Sequence, residues 1–99
     1  MNLNELQKRK TELYQIAEKY GVETIYVFGS VARGESSEMS DVDFLIEMKA
    51  NASAFGVGAF QFEAQKLLGR RIDVVPTFTL PKVDDKKFLR SLQAEAVAL

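Results

Sequence analysis

Apolar residues fall at two different spacings along this chain, and the switches between them mark its elements. Leu3, Leu6, Leu13, Ile16, Ala17 and Tyr20 recur at helical intervals with Lys and Arg between them, which predicts one amphipathic helix ended by Gly21. ETIYVF (23–28) is β-branched and aromatic, so it reads as a buried strand running into Gly29. Residues 30–34 predict a short helical turn closed by Gly34, ESSEMS (35–40) a polar loop, and DVDFLIEM (41–48) a second strand. Beyond a loop at 49–53, Phe55, Ala59, Phe60, Ala64, Leu67 and Leu68 predict a helix with Gly69 past its end, weakened by Gly56 and Gly58. RRIDVVP (70–76) is a third strand stopped by Pro76, and TFTLPKV (77–83) is irregular. Asp84 or Asp85 then caps a last helix carrying Phe88, Leu89, Leu92, Ala96 and Leu99.

The order α-β-β-α-β-α has no repeat, low-complexity tract or linker. It predicts one α/β (α+β) domain over residues 1–99, a small mixed sheet of three to four strands packed by about four helices. Ninety-nine residues leave room for little else. No run is apolar or long enough to act as a signal peptide or to span a bilayer, which predicts a cytoplasmic protein without a membrane role.

Composition narrows the chemistry by what it lacks. With no cysteine there is no disulfide framework and no thiolate metal site. With no histidine there is no Ser-His or Cys-His catalysis and no usual zinc ligand, so any metal is a hard cation held by oxygen. A formal net charge of −1 provides no basic field for direct nucleic-acid binding. The KRK run at 8–10 reads as the wet face of the first helix, and Arg70 and Arg71 as solvated. Phe55, Phe60 and Phe62 read as core or partner surface, not as a base-stacking platform.

What does not fit a bland reading is Asp41 and Asp43, two carboxylates at alternate positions beside FLIEM. Alternate strand residues point to one side, so these two repel each other unless a cation intervenes. Asp73, flanked by Ile72 and Val74, adds a third carboxylate from another strand. Gly29 and Ser30 follow a strand and open a helical turn, where backbone N–H groups and a hydroxyl meet phosphate oxygens. Three carboxylates beside a phosphate-binding turn fit one or two Mg²⁺ ions holding a nucleoside triphosphate. In that arrangement Asp41 and Asp43 hold the metals, and Asp73 binds the second metal and accepts the proton of an attacking hydroxyl. Ser30 also has a capping role open to it. Arg33 either reaches the triphosphate or pairs with Glu35 or Glu38.

The stretch GSVARGESSEMSDVD fits the pattern G-S, ten residues, D-x-D, and so resembles the polymerase-beta-like nucleotidyltransferases, with Asp73 in RRIDVV matching their third-strand aspartate. VFGSVARGE, SDVDFLIE, LLGRRIDVV and the terminal AEAVAL are similar to the minimal nucleotidyltransferases of prokaryotes, across most of residues 24–99. That resemblance implies the minimal nucleotidyltransferase fold. It implies transfer of AMP from ATP, with Mg²⁺, to a tyrosine of a HEPN-domain ribonuclease toxin, which silences the toxin. Two alternatives stay open: an antitoxin that works by occlusion alone, and a nucleotidyltransferase acting on a small molecule.

Overall fold

The computed structural model describes residues 1–37 and 39–99. Its elements are α1 (Leu3–Lys8), α2 (Lys10–Tyr20), β1 (Val22–Phe28), α3 (Gly29–Arg33), β2 (Val42–Met48), α4 (Phe55–Leu68), β3 (Ile72–Pro76), a 3-10 helix (Thr77–Lys82), α5 (Lys86–Glu95) and β4 (Val97–Ala98). The strands form one mixed sheet in the order β3-β2-β1-β4. β1 runs antiparallel to β2 and β4, while β2 and β3 are parallel and joined through α4, the crossover that a parallel pair requires.

Period-two alternation gives the sheet two unlike faces. Ile25 and Val27 of β1, Val42, Phe44 and Ile46 of β2, and Ile72 of β3 point to one side. There they meet Leu6 of α1, Leu13 and Ala17 of α2, and Phe60, Ala64 and Leu68 of α4. Phe44 and Phe60 are fully buried with ring centroids 6.3 Å apart, each contributing roughly 1.5–3 kcal/mol by leaving water. The opposite face carries Phe28 and Leu45, covered by Leu92 of α5, with Tyr26, Val75 and Phe88 packed around them. This second face is thinner, and it is the one that also carries Asp43 and Asp73.

Three elements depart from the sequence-based expectation. The N-terminal helix is two segments, because the chain breaks at Arg9, which ends α1 and begins α2. No Gly or Pro marks the break. The Arg9 side chain is instead drawn to Glu12 at 2.7 Å and to the carbonyl of Leu67 at the end of α4, so KRK is not wholly a solvated face. TFTLPKV is not irregular, since Thr77–Lys82 winds as a 3-10 helix that contains Pro81. The last helix stops at Glu95, and Val97–Ala98 pairs with Val27 and Tyr26 as the fourth strand. Asp85, not Asp84, is its N-cap, accepting from the N–H of Phe88 at 3.0 Å.

α4 forms despite its glycines, and one of them is required. A Cβ at Gly56 would lie 2.3 Å from the carbonyl oxygen of Tyr20, where the end of α2 presses on α4. Phe60 is core, as expected, while Phe55 and Phe62 are exposed. No helix among the described residues is long and apolar enough to cross a membrane.

Candidate active site

β1 delivers Gly29 to the end of the sheet where β2 and β3 begin. Phe28 is the Cα partner of Asp43, and Asp43 is in turn the Cα partner of Asp73 across the parallel pair. Parallel strands lie about 4.8 Å apart, so the two carboxylates leave adjacent strands on the same face at the same level. Asp41 sits one residue before β2 instead of within it. The pairing nevertheless continues there, through the N–H of Val42 to the carbonyl of Arg71 at 3.1 Å. The structure therefore brings Gly29, Asp41, Asp43 and Asp73 to one end of one face.

Gly29 stands against Asp43. Its φ is +73°, a conformation that side chains other than glycine rarely adopt, and a Cβ there would lie 2.3 Å from Oδ2 of Asp43. Ser30 follows in the first turn of α3, partly exposed beside this contact. α3 then closes with Gly34, whose N–H bonds to the carbonyl of Val31.

The charges at this end are unbalanced in a telling way. Asp43 is held above the ordinary carboxylate range, first by partial burial and then by the fields of Asp73 and Asp41. Among the described residues no three acidic side chains are gathered closely enough to hold a metal ion by themselves. Instead, Nε of Arg71 lies 3.8 Å from Asp41 and 3.9 Å from Asp73. A guanidinium facing both carboxylates offsets part of their repulsion, modestly, because its side chain is 74% exposed. The site fits a divalent cation by the chemistry of its donors: hard oxygens, a raised Asp43 that a cation would restore to the ionised form, and a glycine that leaves the carboxylate room.

Arg71 is solvated, as expected, with its side chain 74% exposed, yet it also faces Asp41 and Asp73. The signal was available, because Arg71 and Asp73 are alternate residues of one extended run and so share a face. Arg33 donates from Nε to Glu35 at 3.0 Å and from Nη1 to Glu95 at 2.9 Å, and these two hydrogen bonds, Glu35 first, raise its pKa. Of the two partners expected for it, Glu35 is engaged and Glu38 lies outside the described residues. Glu95 was not foreseen, being 62 positions away with no local pattern pointing to it.

A pH dependence follows from Asp43. Its folded-state pKa is raised, so the folded chain holds this proton more tightly than the unfolded one. That contribution to stability is present below the unfolded value and is lost as pH rises through the raised one. In buffer with EDTA, the urea midpoint of Asp43→Asn is therefore expected to climb above that of the parent chain between pH 4 and pH 7. Parallel midpoints across that range would remove the assigned repulsion.

The family of nucleotidyltransferase domains matches residues 10–99, and the chain belongs to it. Its enzymatic class is that of a nucleotidyltransferase. It is 36% identical over 78 residues to the protein adenylyltransferase MntA of Thermococcus cleftensis, an alignment covering 79% of each chain. Among solved structures it resembles one described as a minimal nucleotidyltransferase, with a TM-score of 0.79 and 29% identity over 100% of this chain and 97% of that one. The fold alone is shared with a toxin–antitoxin structure with AMP-PNP, at TM-score 0.68 and 13% identity over 90% of this chain and 70% of that one. It is also shared with a complex of a tri-AMPylated HEPN toxin from Shewanella oneidensis and its MNT antitoxin, at TM-score 0.61 and 13% identity over 93% and 69% of the two chains. The expected minimal nucleotidyltransferase fold is thus the observed one.

Proposed function

We propose that the chain is a cytoplasmic protein adenylyltransferase that moves AMP from ATP to a tyrosine hydroxyl of a HEPN ribonuclease toxin, and so serves as its antitoxin. The observation that carries this reading is the convergence of Gly29, Asp43 and Asp73 on one end of one sheet face, produced by antiparallel β1–β2 and parallel β2–β3 pairing. The relative named protein adenylyltransferase and the AMPylated toxin complex support the choice of nucleotide and acceptor.

Each residue has a task. Gly29 lets a phosphate approach the backbone, and the Ser30 hydroxyl and turn N–H groups donate to its oxygens. Arg33, fixed by Glu35 and Glu95, turns its remaining donors to the outer phosphates. Asp41, Asp43 and Asp73 would hold one or two Mg²⁺ ions, which supply charge neutralisation of the triphosphate and polarisation of its α-phosphate. Asp73 accepts the proton of the acceptor hydroxyl. The hydroxyl oxygen bonds to the α-phosphorus, the bond from that phosphorus to the bridging oxygen breaks, and pyrophosphate leaves.

The site is an open rim, not a pocket. Side chains of Asp41 and Asp73 are 45% and 48% exposed, so a hydroxyl carried on another folded protein can reach them. The concavity lined by Tyr20, Ala52, Phe55, Gly56 and Ala59 lies at the far end of the sheet, beside the start of β1. Half-exposed carboxylates at an open edge favour a protein acceptor over a small molecule held in a pocket.

The test uses ATP labelled at one phosphate at a time. The chain, Mg²⁺ and its HEPN partner are expected to place α-label, and no γ-label, on the toxin, at a tyrosine located by mass spectrometry, with no transfer in EDTA. A toxin that gains γ-label, or none from the α-position, overturns the reading.

A further inference from the structure

Glu95 is badly placed for its own helix. It lies in the last turn of α5, where the aligned peptide dipoles present their negative end, and no basic residue in that turn offsets it. Its side chain is also among the less solvated of the paired carboxylates, 26% exposed against 59% for Glu35. What offsets these costs is across the domain: Oε2 of Glu95 accepts from Nη1 of Arg33 at 2.9 Å.

The anchor is rigid on both sides. One residue beyond Glu95 the chain leaves α5, and Val97–Ala98 pairs with Val27 and Tyr26, the two residues before Phe28, which ends β1 at the Gly29 turn. Behind Glu95, Leu92 packs on Phe28, and Phe88 meets the Phe28 ring edge-on at 6.2 Å. Glu95 is therefore tied from two directions to the strand that delivers Gly29. Arg33 belongs to the helical turn that Gly29 begins. A guanidinium has five N–H donors, and the two glutamates engage two of them.

We propose that Glu95 is a positioning residue for nucleotide binding: it holds Arg33 at the mouth of the Gly29 turn so that the remaining guanidinium donors meet the β- and γ-phosphates of the nucleotide. The proposal rests on the reading of Arg33 as a triphosphate ligand. Arginine carries large rotamer freedom, and ordering it at the moment of binding weakens the complex; Glu95 and Glu35 order it beforehand. A carboxylate spent on stability alone would tie α3 to α5 without regard to which phosphates are present, and that difference is measurable.

The experiment titrates the full chain with ATP and with AMP, in Mg²⁺, by calorimetry. Glu95→Ala is expected to weaken ATP about tenfold and leave AMP unchanged, the loss expected when an arginine must be ordered on binding. Glu95→Gln, which keeps the shape and an acceptor oxygen, is expected to fall between and guards against a folding defect. In an Arg33→Ala background, removing Glu95 is expected to change the ATP to AMP ratio no further. If Arg33→Ala lowers that ratio and neither Glu95 variant does, positioning by Glu95 is overturned while the Arg33 reading stands. If Arg33→Ala leaves the ratio at its parental value, the Arg33 reading fails and the proposal falls with it. Equal weakening of ATP and AMP by both Glu95 variants assigns Glu95 to stability and overturns the proposal.

Discussion

An Asp41→Asn, Asp43→Asn chain is expected to lose AMP transfer by about a thousandfold or more while becoming harder to unfold in metal-free buffer. The two halves of this result have one cause. Asp43 is held above the ordinary carboxylate range by burial and by its neighbours Asp73 and Asp41, so ionising Asp43 costs the folded chain stability. The same density of charge is what a hard cation and a triphosphate need, and metal charge at a phosphoryl centre is worth several kcal/mol, at about 1.4 kcal/mol for each factor of ten. Amides keep the shape and remove the charge. Labelled transfer measures the first half and the urea midpoint in EDTA the second. A further arm separates catalysis from occlusion. A catalyst silences many toxin molecules, so on the proposed reading the parent chain is expected to protect at substoichiometric ratios and the double variant is not. A double variant that still protects at one antitoxin to many toxins would remove catalysis from the account of inhibition.

Gly29→Ala is expected to have the second largest effect, because it strikes the backbone instead of the charges. At φ +73° an alanine is strained by about 1–2 kcal/mol. Its Cβ would also lie 2.3 Å from Oδ2 and 3.2 Å from Cγ of Asp43. Oδ2 is the end of a side chain and can turn aside, but turning moves the carboxylate out of the position that the sheet register sets. A displacement of about 1 Å at a reacting centre costs about a hundredfold in rate. The expected outcome is a transfer rate down about a hundredfold, with a urea midpoint lowered by strain alone. Wild-type transfer by Gly29→Ala would show that the contact between Gly29 and Asp43 plays no part in the chemistry.

Much of the site was legible because each of its residues breaks a local rule. A glycine ends a buried strand at Gly29, two carboxylates alternate into an apolar strand at Asp41 and Asp43, and Asp73 stands between β-branched neighbours. Such violations are visible without a fold. The elements were legible for the opposite reason, since Leu13, Ala17, Phe60 and Ala64 keep a helical period and are buried as that period requires.

The remainder depended on tertiary contacts that leave no periodic trace. Ala96 and Leu99 continue the spacing of α5, so a two-residue strand there looks helical until β1 supplies a partner. The break at Arg9 coincides with contacts to Glu12 and to the end of α4. Glu95 joins Arg33 only once α5 lies across the sheet.

The parallel pairing of β2 with β3 has a consequence for the order of events during folding. Asp73 lies 30 residues beyond Asp43, and the two become neighbours only after α4 has crossed back and closed that loop. The hairpin of β1 and β2 can form early from nearby residues, yet it carries an incomplete constellation. A slip of one residue in the later pairing would turn Asp73 to the wrong side. Binding that needs both Asp43 and Asp73 would draw only on the finished chain, and a nucleotide at a hundred times its dissociation constant would add about 2.7 kcal/mol to the stability of that state. On the proposed reading, a freshly made chain in which β3 has not yet paired with β2 lacks a complete site.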